Sequence, residues 1–114
     1  MQVFNYNGPS SFMVACCKKK HVFSVEEVVR LEASSNYTLI HTVNNRPLVV
    51  AKVLSAYEEI LEGLGFIRVH RSHLVNRRYV HSIDQTGITL QEGCKIEVSR
   101  RKRKEVFRRL YCAR

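Results

Sequence analysis

Two stretches of this chain hold the side chains best suited to grip a polyanion. The first, His70-Arg71-Ser72-His73-Leu74-Val75-Asn76-Arg77-Arg78, offers hydrogen-bond donors of several reaches, and only Leu74 and Val75 suit a core. Arginine presents a planar fork that matches a phosphate or the O6/N7 side of guanine, and asparagine can pair two ways with adenine. Serine and histidine add shorter hydrogen bonds to phosphate. Singly these residues have plain structural readings: Asn76 can cap a following turn, and His70 can be a satisfied structural histidine. Together they read as a binding loop. The second stretch, Ser99-Arg100-Arg101-Lys102-Arg103-Lys104, sets a run of positive charges between an extended segment and a helical one. Cations at a helix start oppose the macrodipole by up to about 1 kcal/mol, so a polyanion explains the run better than local stability does. If these residues and the Arg77/Arg78 pair neutralise about six phosphates, log K falls with log salt at a slope near −5.

The charge balance points the same way. The 114 residues carry a net charge of +9, and residues 1–65 hold as many acidic as basic side chains, so the whole excess lies beyond residue 65. Such a localised excess serves a phosphate backbone, an anionic lipid or an acidic protein surface, or merely a solvated face. The alternative to DNA is therefore a basic module that binds an anionic membrane surface, RNA or an acidic protein partner, resting on the terminal segment around Lys102 to Arg109. RNA is the weaker variant, because the exposed aromatic pairs that stack single-stranded bases are missing.

An enzyme has thin raw material in His41, His70, His73, His81 and Asp84. No H-E-x-x-H, glycine-rich phosphate loop or G-x-S-x-G accompanies them. His73 with Cys94 is too little for a metal site, so the expectation is no catalysis, no cofactor and no metal. Cys16, Cys17, Cys94 and Cys112 lack C-x-x-C spacing and suit a reducing compartment. The first residues do not read as a signal peptide, and no stretch approaches the roughly 18 apolar residues of a membrane span. The expected location is the cytoplasm, with no membrane partner.

The frame that must position these groups is extended for most of its length. Residues 1–11 read as a lead-in rich in Asn, Gly, Pro and Ser, and residues 12–114 as one domain. Phe12 to Ala15 and His21 to Ser24 read as strands around a Lys18-Lys19-Lys20 turn. Val28 to Glu32 and Tyr37 to Val43 follow, with Tyr37, Leu39 and Val43 on one face, and Asn44-Asn45 turns the chain into Arg46 to Val50. Leu54, Tyr57, Leu61 and Leu64 then recur at helical spacing, and Gly63 and Gly65 mark the helix end with left-handed backbone. Phe66 to Val69 is extended, and Gly87 to Leu90 with Lys95 to Val98 forms a hairpin about Gln91-Glu92-Gly93. Val106, Phe107, Leu110 and Tyr111 fit a short terminal helix. The fold class expected is mainly β: antiparallel strands in small sheets, one central short helix and a short C-terminal helix.

The run from Val28 to Leu110 resembles the LytTR DNA-binding domain of bacterial transcription regulators. The wording that carries the likeness is R-L-E-A-S-S-N-Y-T at 30–38, F-I-R-V-H-R-S-H-L-V-N at 66–76 and I-E-V-S-R-R at 96–101. The resemblance implies an elongated fold that sets loops into two successive major grooves of duplex DNA and spans the minor groove between them. Carried over by position, Asn36 and Tyr37 lie in one major-groove loop and Arg101, with Arg100, in the other. Arg71 then sits over the intervening backbone. His70, Ser72 and Asn76 fall within the same motif, and Ser99, Arg103 and Lys104 flank Arg101. The family also implies paired direct repeats, hence a homodimer on DNA. Only a short segment precedes Val28, with no room for a receiver domain and its phospho-acceptor Asp. That implies a stand-alone output domain served by a separate sensor or kinase-linked partner.

Overall fold

The computed structural model describes residues 2–5, 10–16, 18–44 and 46–112. Runs rich in β-branched and aromatic residues pair into three antiparallel sheets, as such side chains favour a pleated surface. The first contains β1 (Gln2–Asn5), β2 (Ser10–Cys16) and β3 (Lys19–Ser24), in that order. The central sheet is built from β4 (Val28–Ser34), β5 (Tyr37–Thr42), β6 (Leu48–Val50), β7 (Phe66–His70) and β8 (His73–Asn76), arranged β6-β5-β4-β8-β7. The third comprises β9 (Val80–Ile83), β10 (Gly87–Leu90) and β11 (Lys95–Glu97), with β10 in the middle. Among the described residues, two helices, α1 (Ser55–Glu62) and α2 (Arg103–Cys112), complete the fold, and single 3-10 turns occupy Val25–Glu27, Arg77–Tyr79 and Arg100–Lys102. The molecule is elongated, 41 × 34 × 25 Å.

The central sheet is covered on both faces. On one side Leu31, Ile40, Phe66 and Leu74 pack with Phe12 and Val14 of β2 and with Tyr57 and Leu61 of α1. On the other, Val29, Ile67, Val69 and Val75 pack with Ile88, Leu90 and Ile96 of the third sheet and with Val106 and Leu110 of α2. Each such fully buried side chain contributes about 1.5–3 kcal/mol, so β7 and β8 are rigid rails. This corrects the reading of residues 70–78 as a loop. Consecutive residues of a strand face opposite sides, and Leu74 and Val75 enter opposite cores. They are the middle of a strand buried on both sides, which shows no alternation in sequence.

Other local expectations also shift. Gln2–Asn5, read as lead-in, pairs with β2 in the register Gln2↔Met13 to Asn5↔Ser10. At the end of α1, Gly65 is left-handed (φ 96°) as expected, whereas Gly63 stays helical (φ −66°). In β5 the core face is Thr38 and Ile40, leaving Tyr37 and Val43 exposed. The pairing Ile40↔Leu48 makes β5 and β6 the expected hairpin. Asn45 of its turn, Cys17 and residues 6–9 lie outside the described residues.

Candidate nucleic-acid interface

Three chain reversals meet at one end of the central sheet. Ser34 pairs with Tyr37, so β4 and β5 are joined by Ser35-Asn36 alone, with Ser35 left-handed (φ 54°). His70 pairs with His73, so Arg71-Ser72 is the whole connection between β7 and β8. These two tips are neighbours, because the Ala33 N–H donates to the Ser72 carbonyl at 2.9 Å. Beyond β7, the Ser99 N–H donates to the Val69 carbonyl at 3.1 Å, which sets the Ser99–Lys102 turn alongside the same end. From the β4–β5 tip across β8 and β7 to Ser99 is three to four strand spacings, or about 15–19 Å. Asn36, Tyr37, Arg71, Arg100 and Arg101 are all exposed.

The Arg71-Ser72 tip is held from beneath by Arg68. Alternation along β7 sends Ile67 and Val69 into one core and Arg68 to the opposite face, toward α1. Its Nε donates to the His70 carbonyl at 2.9 Å, one Nη to the Arg71 carbonyl at 2.5 Å, and the other Nη to Glu58 of α1. The Ser72 N–H donates to His70 Nδ1 at 3.1 Å. The neutral His70 ring therefore carries its proton on Nε2, the atom that lies 3.9 Å from Glu97 of β11. His70 thus offers its ring donor at Nε2.

The basic run divides around its turn. Arg100 to Lys102 form a 3-10 turn with the Lys102 N–H donating to the Ser99 carbonyl at 3.0 Å, and α2 begins at Arg103. On one side a cleft of about 620 Å³ is lined by Arg68, His70, Arg71, Ser99, Arg101 and Lys102. On the other, Arg100 and Arg103 share a cleft of about 520 Å³ with Gln85, Thr86 and Glu97. Lys104 is exposed in the first turn of α2. Sequence reasoning took Lys102 as part of the basic run and missed Arg68, whose signal is a lone charge inside the apolar run Phe66-Ile67-Arg68-Val69.

Three expected contacts fall elsewhere. Asn76 is 2% exposed; its Nδ2 donates to the Val25 and Val28 carbonyls at 3.0 and 2.8 Å, and its Oδ1 accepts from the Arg78 N–H at 3.1 Å. Every group it could offer a base is engaged in the fold, so Asn76 is corrected to a structural residue. Arg77 and Arg78 follow the opposite end of β8. The strand's four residues carry the chain about 13 Å at roughly 3.3 Å each, and the Arg77 N–H donates to the Gly65 carbonyl at 3.0 Å. Arg78 lies 3.6 Å from Glu26. Neither shares a surface with Arg71 and Arg101.

Charge beneath the tips is controlled too. Burial raises the Glu32 carboxyl, but the hydrogen bond with His41 and the charge and hydrogen bond of Arg30 outweigh it, leaving Glu32 below its ordinary range. His73, half-buried on β8, is pushed down chiefly by burial and further by Arg30, His70 and His41, against the pull of Glu32. It is a neutral ring at neutral pH and adds no cation to the surface. Among the described residues no group of three or more His, Cys, Asp or Glu is placed to hold a metal ion, and no helix is long and apolar enough to cross a membrane.

Comparison with known proteins agrees with this fold. A family model described as the LytTr DNA-binding domain matches residues 18–111. The transcriptional regulatory protein LytR of Staphylococcus aureus (strain N315) is 27% identical over 99 residues, covering 82% of this chain and 40% of its own length. The sensory transduction protein LytR of Staphylococcus saprophyticus is 24% identical over 85 residues, covering 70% of this chain and 33% of its own length. This chain thus spans well under half the length of these relatives. A solved LytTr DNA-binding domain from Bacillus cereus superposes with a TM-score of 0.70 at 23% identity, covering 92% of this chain and 99% of the other, and it shares the mainly β fold of small antiparallel sheets.

Proposed function

The chain belongs to the LytTR DNA-binding domain family, and from that premise we propose that it reads duplex DNA through the end of the central sheet where the three reversals meet. It is a DNA-binding domain of the kind that transcription regulators carry. In the proposed complex, Asn36 and Tyr37 enter one major groove and Arg101, beside Arg100, enters the next. Arg71 lies over the minor groove between them, with His70 and Ser72 donating to its phosphate walls. Ser99, Lys102, Arg103 and Lys104 hold the backbone next to Arg101.

The observation that carries the reading is the common placement of the three tips. A span of about 15–19 Å between the outer tips exceeds a minor groove about 6 Å wide, so both can flank it while Arg71 reaches the middle. Six exposed or half-exposed cations line this end: Arg71, Arg100, Arg101, Lys102, Arg103 and Lys104. That number supports a salt slope near −5 without Arg77 or Arg78. Two copies side by side on direct repeats would double the footprint, and a sensor or kinase-linked partner would supply the input.

Selection from a random duplex library at fixed salt tests the proposal. The expected result is enrichment of one motif, recovered as a pair of direct repeats. Recovery of no motif, with equal binding to every duplex, would reduce the domain to a nonspecific polyanion binder and contradict the assignment of base contacts.

A further inference from the structure

A buried guanidinium needs complete pairing to be tolerated, and Arg68, with its side chain 13% exposed, has contacts of an unusual kind. Its partners are two backbone carbonyls of the β7–β8 tip and one carboxylate on α1. The third carbonyl of the tip, that of Ser72, accepts from Ala33 of β4. The carbonyls of His70, Arg71 and Ser72 are therefore all turned toward donors of the protein. A two-residue reversal left to itself exposes such carbonyls to solvent, where their negative ends would face an approaching phosphate. Here the carbonyls are turned inward while Arg71 stays exposed.

We propose that Arg68 is a positioning residue for DNA reading: anchored on Glu58 of α1, its guanidinium draws the His70 and Arg71 carbonyls inward and so presents the Arg71 side chain to the duplex. The proposal rests on the reading that the Arg71-Ser72 tip faces DNA. It also gives α1 a role, since Glu58 fixes the guanidinium from a helix that contributes no residue to the proposed contact surface. Arginine is needed because lysine, whose three donors all radiate from one nitrogen, cannot span two carbonyls and a carboxylate as the three guanidinium nitrogens do.

The test is a double-mutant cycle measured by fluorescence anisotropy on a duplex recovered from the library selection, with the whole chain. Arg71→Ala is expected to weaken binding about tenfold in the native background and by no more than about twofold in Arg68→Met, where the tip is no longer held. Arg101→Ala should weaken binding by the same factor in both backgrounds, a result that general loss of structure would not give. Glu58→Gln, which keeps an acceptor but removes its charge, should shrink the Arg71→Ala effect only part of the way. Thermal unfolding confirms that each variant is folded; if Arg68→Met is not, Arg68→Lys and Glu58→Gln carry the same comparison. An Arg71→Ala loss that is equal in every background overturns the positioning role while leaving the DNA reading intact. No Arg71→Ala loss in the native background overturns both.

Discussion

Replacing Asn76 separates the fold from the interface more sharply than any other single change. In Asn76→Ala the carbonyls of Val25 and Val28 each lose a donor, and the Arg78 N–H loses its acceptor. The three losses are unequal. Val25's carbonyl still accepts the Val28 N–H, and the Arg78 N–H is partly accessible to water, so the Val28 carbonyl bears the largest penalty. At about 1–3 kcal/mol for a buried polar group left unmet and about 1 kcal/mol for each of the two replaceable hydrogen bonds, the sum is about 3–5 kcal/mol. For a domain of this size, at roughly 4 °C per kcal/mol, Tm should fall by about 12–20 °C. Asn76→Asp should be worse at neutral pH, because a carboxylate can accept from Arg78 but must face two carbonyl oxygens without a donor. The gap between Asp and Ala should narrow as pH falls toward protonation of that carboxyl. Circular dichroism melts give the stabilities, and anisotropy well below Tm gives DNA affinity, which should keep its base preference and salt slope. A variant with native Tm and lost base preference would refute the reasoning and return Asn76 to the DNA.

Arg101→Ala should cost about 1–3 kcal/mol on the preferred duplex and relax the choice of base at its position; an equal loss on random duplex would deny it a base contact. Lys104→Ala should make the salt slope about one unit shallower, whereas Arg78→Ala should leave it unchanged; the reverse pattern would move the binding surface to the far end of β8. Asp84 is held at about 2 by the hydroxyl and N–H of Thr86, with the Gly87 N–H and Lys95 adding, against an ordinary value of 3.8. Its folded-state pKa is depressed, so it contributes stability above the ordinary value that is lost as pH falls through about 2. Acid melts of Asp84→Asn should therefore converge on those of the native protein between about pH 4 and 2, and a difference that stays constant across that window would contradict the assignment.

How much was legible in sequence follows from which faces are buried. The β10–β11 hairpin and the helix α1 announce themselves by period, because each has one buried face, and the Asn44-Asn45 turn announces the β5–β6 hairpin. Strand β8 does not, since Leu74 and Val75 serve two cores and the flanking His73 and Asn76 resemble loop residues. The candidate contact residues Arg71, Arg100 and Arg101, read from the sequence, stand exposed at the tips. Asn76 and the Arg77/Arg78 pair were drawn in by adjacency along the chain, which a strand about 13 Å long turns into separation in space. Arg68 was passed over for the opposite reason: it lies inside an apolar strand, and its meaning comes from carbonyls that only the folded tip brings to it.

DNA contact is proposed for one end of the five-stranded sheet. Titrating the isotope-labelled protein with a selected duplex, and following backbone amides by NMR, tests it directly. The largest shifts should fall on Ser35 to Tyr37, Arg71 and Ser72, and Ser99 to Lys102, with Arg77, Arg78 and the β9 strand nearly silent. Shifts centred on Arg77 to Ile83 instead, with the three tips unmoved, would contradict it.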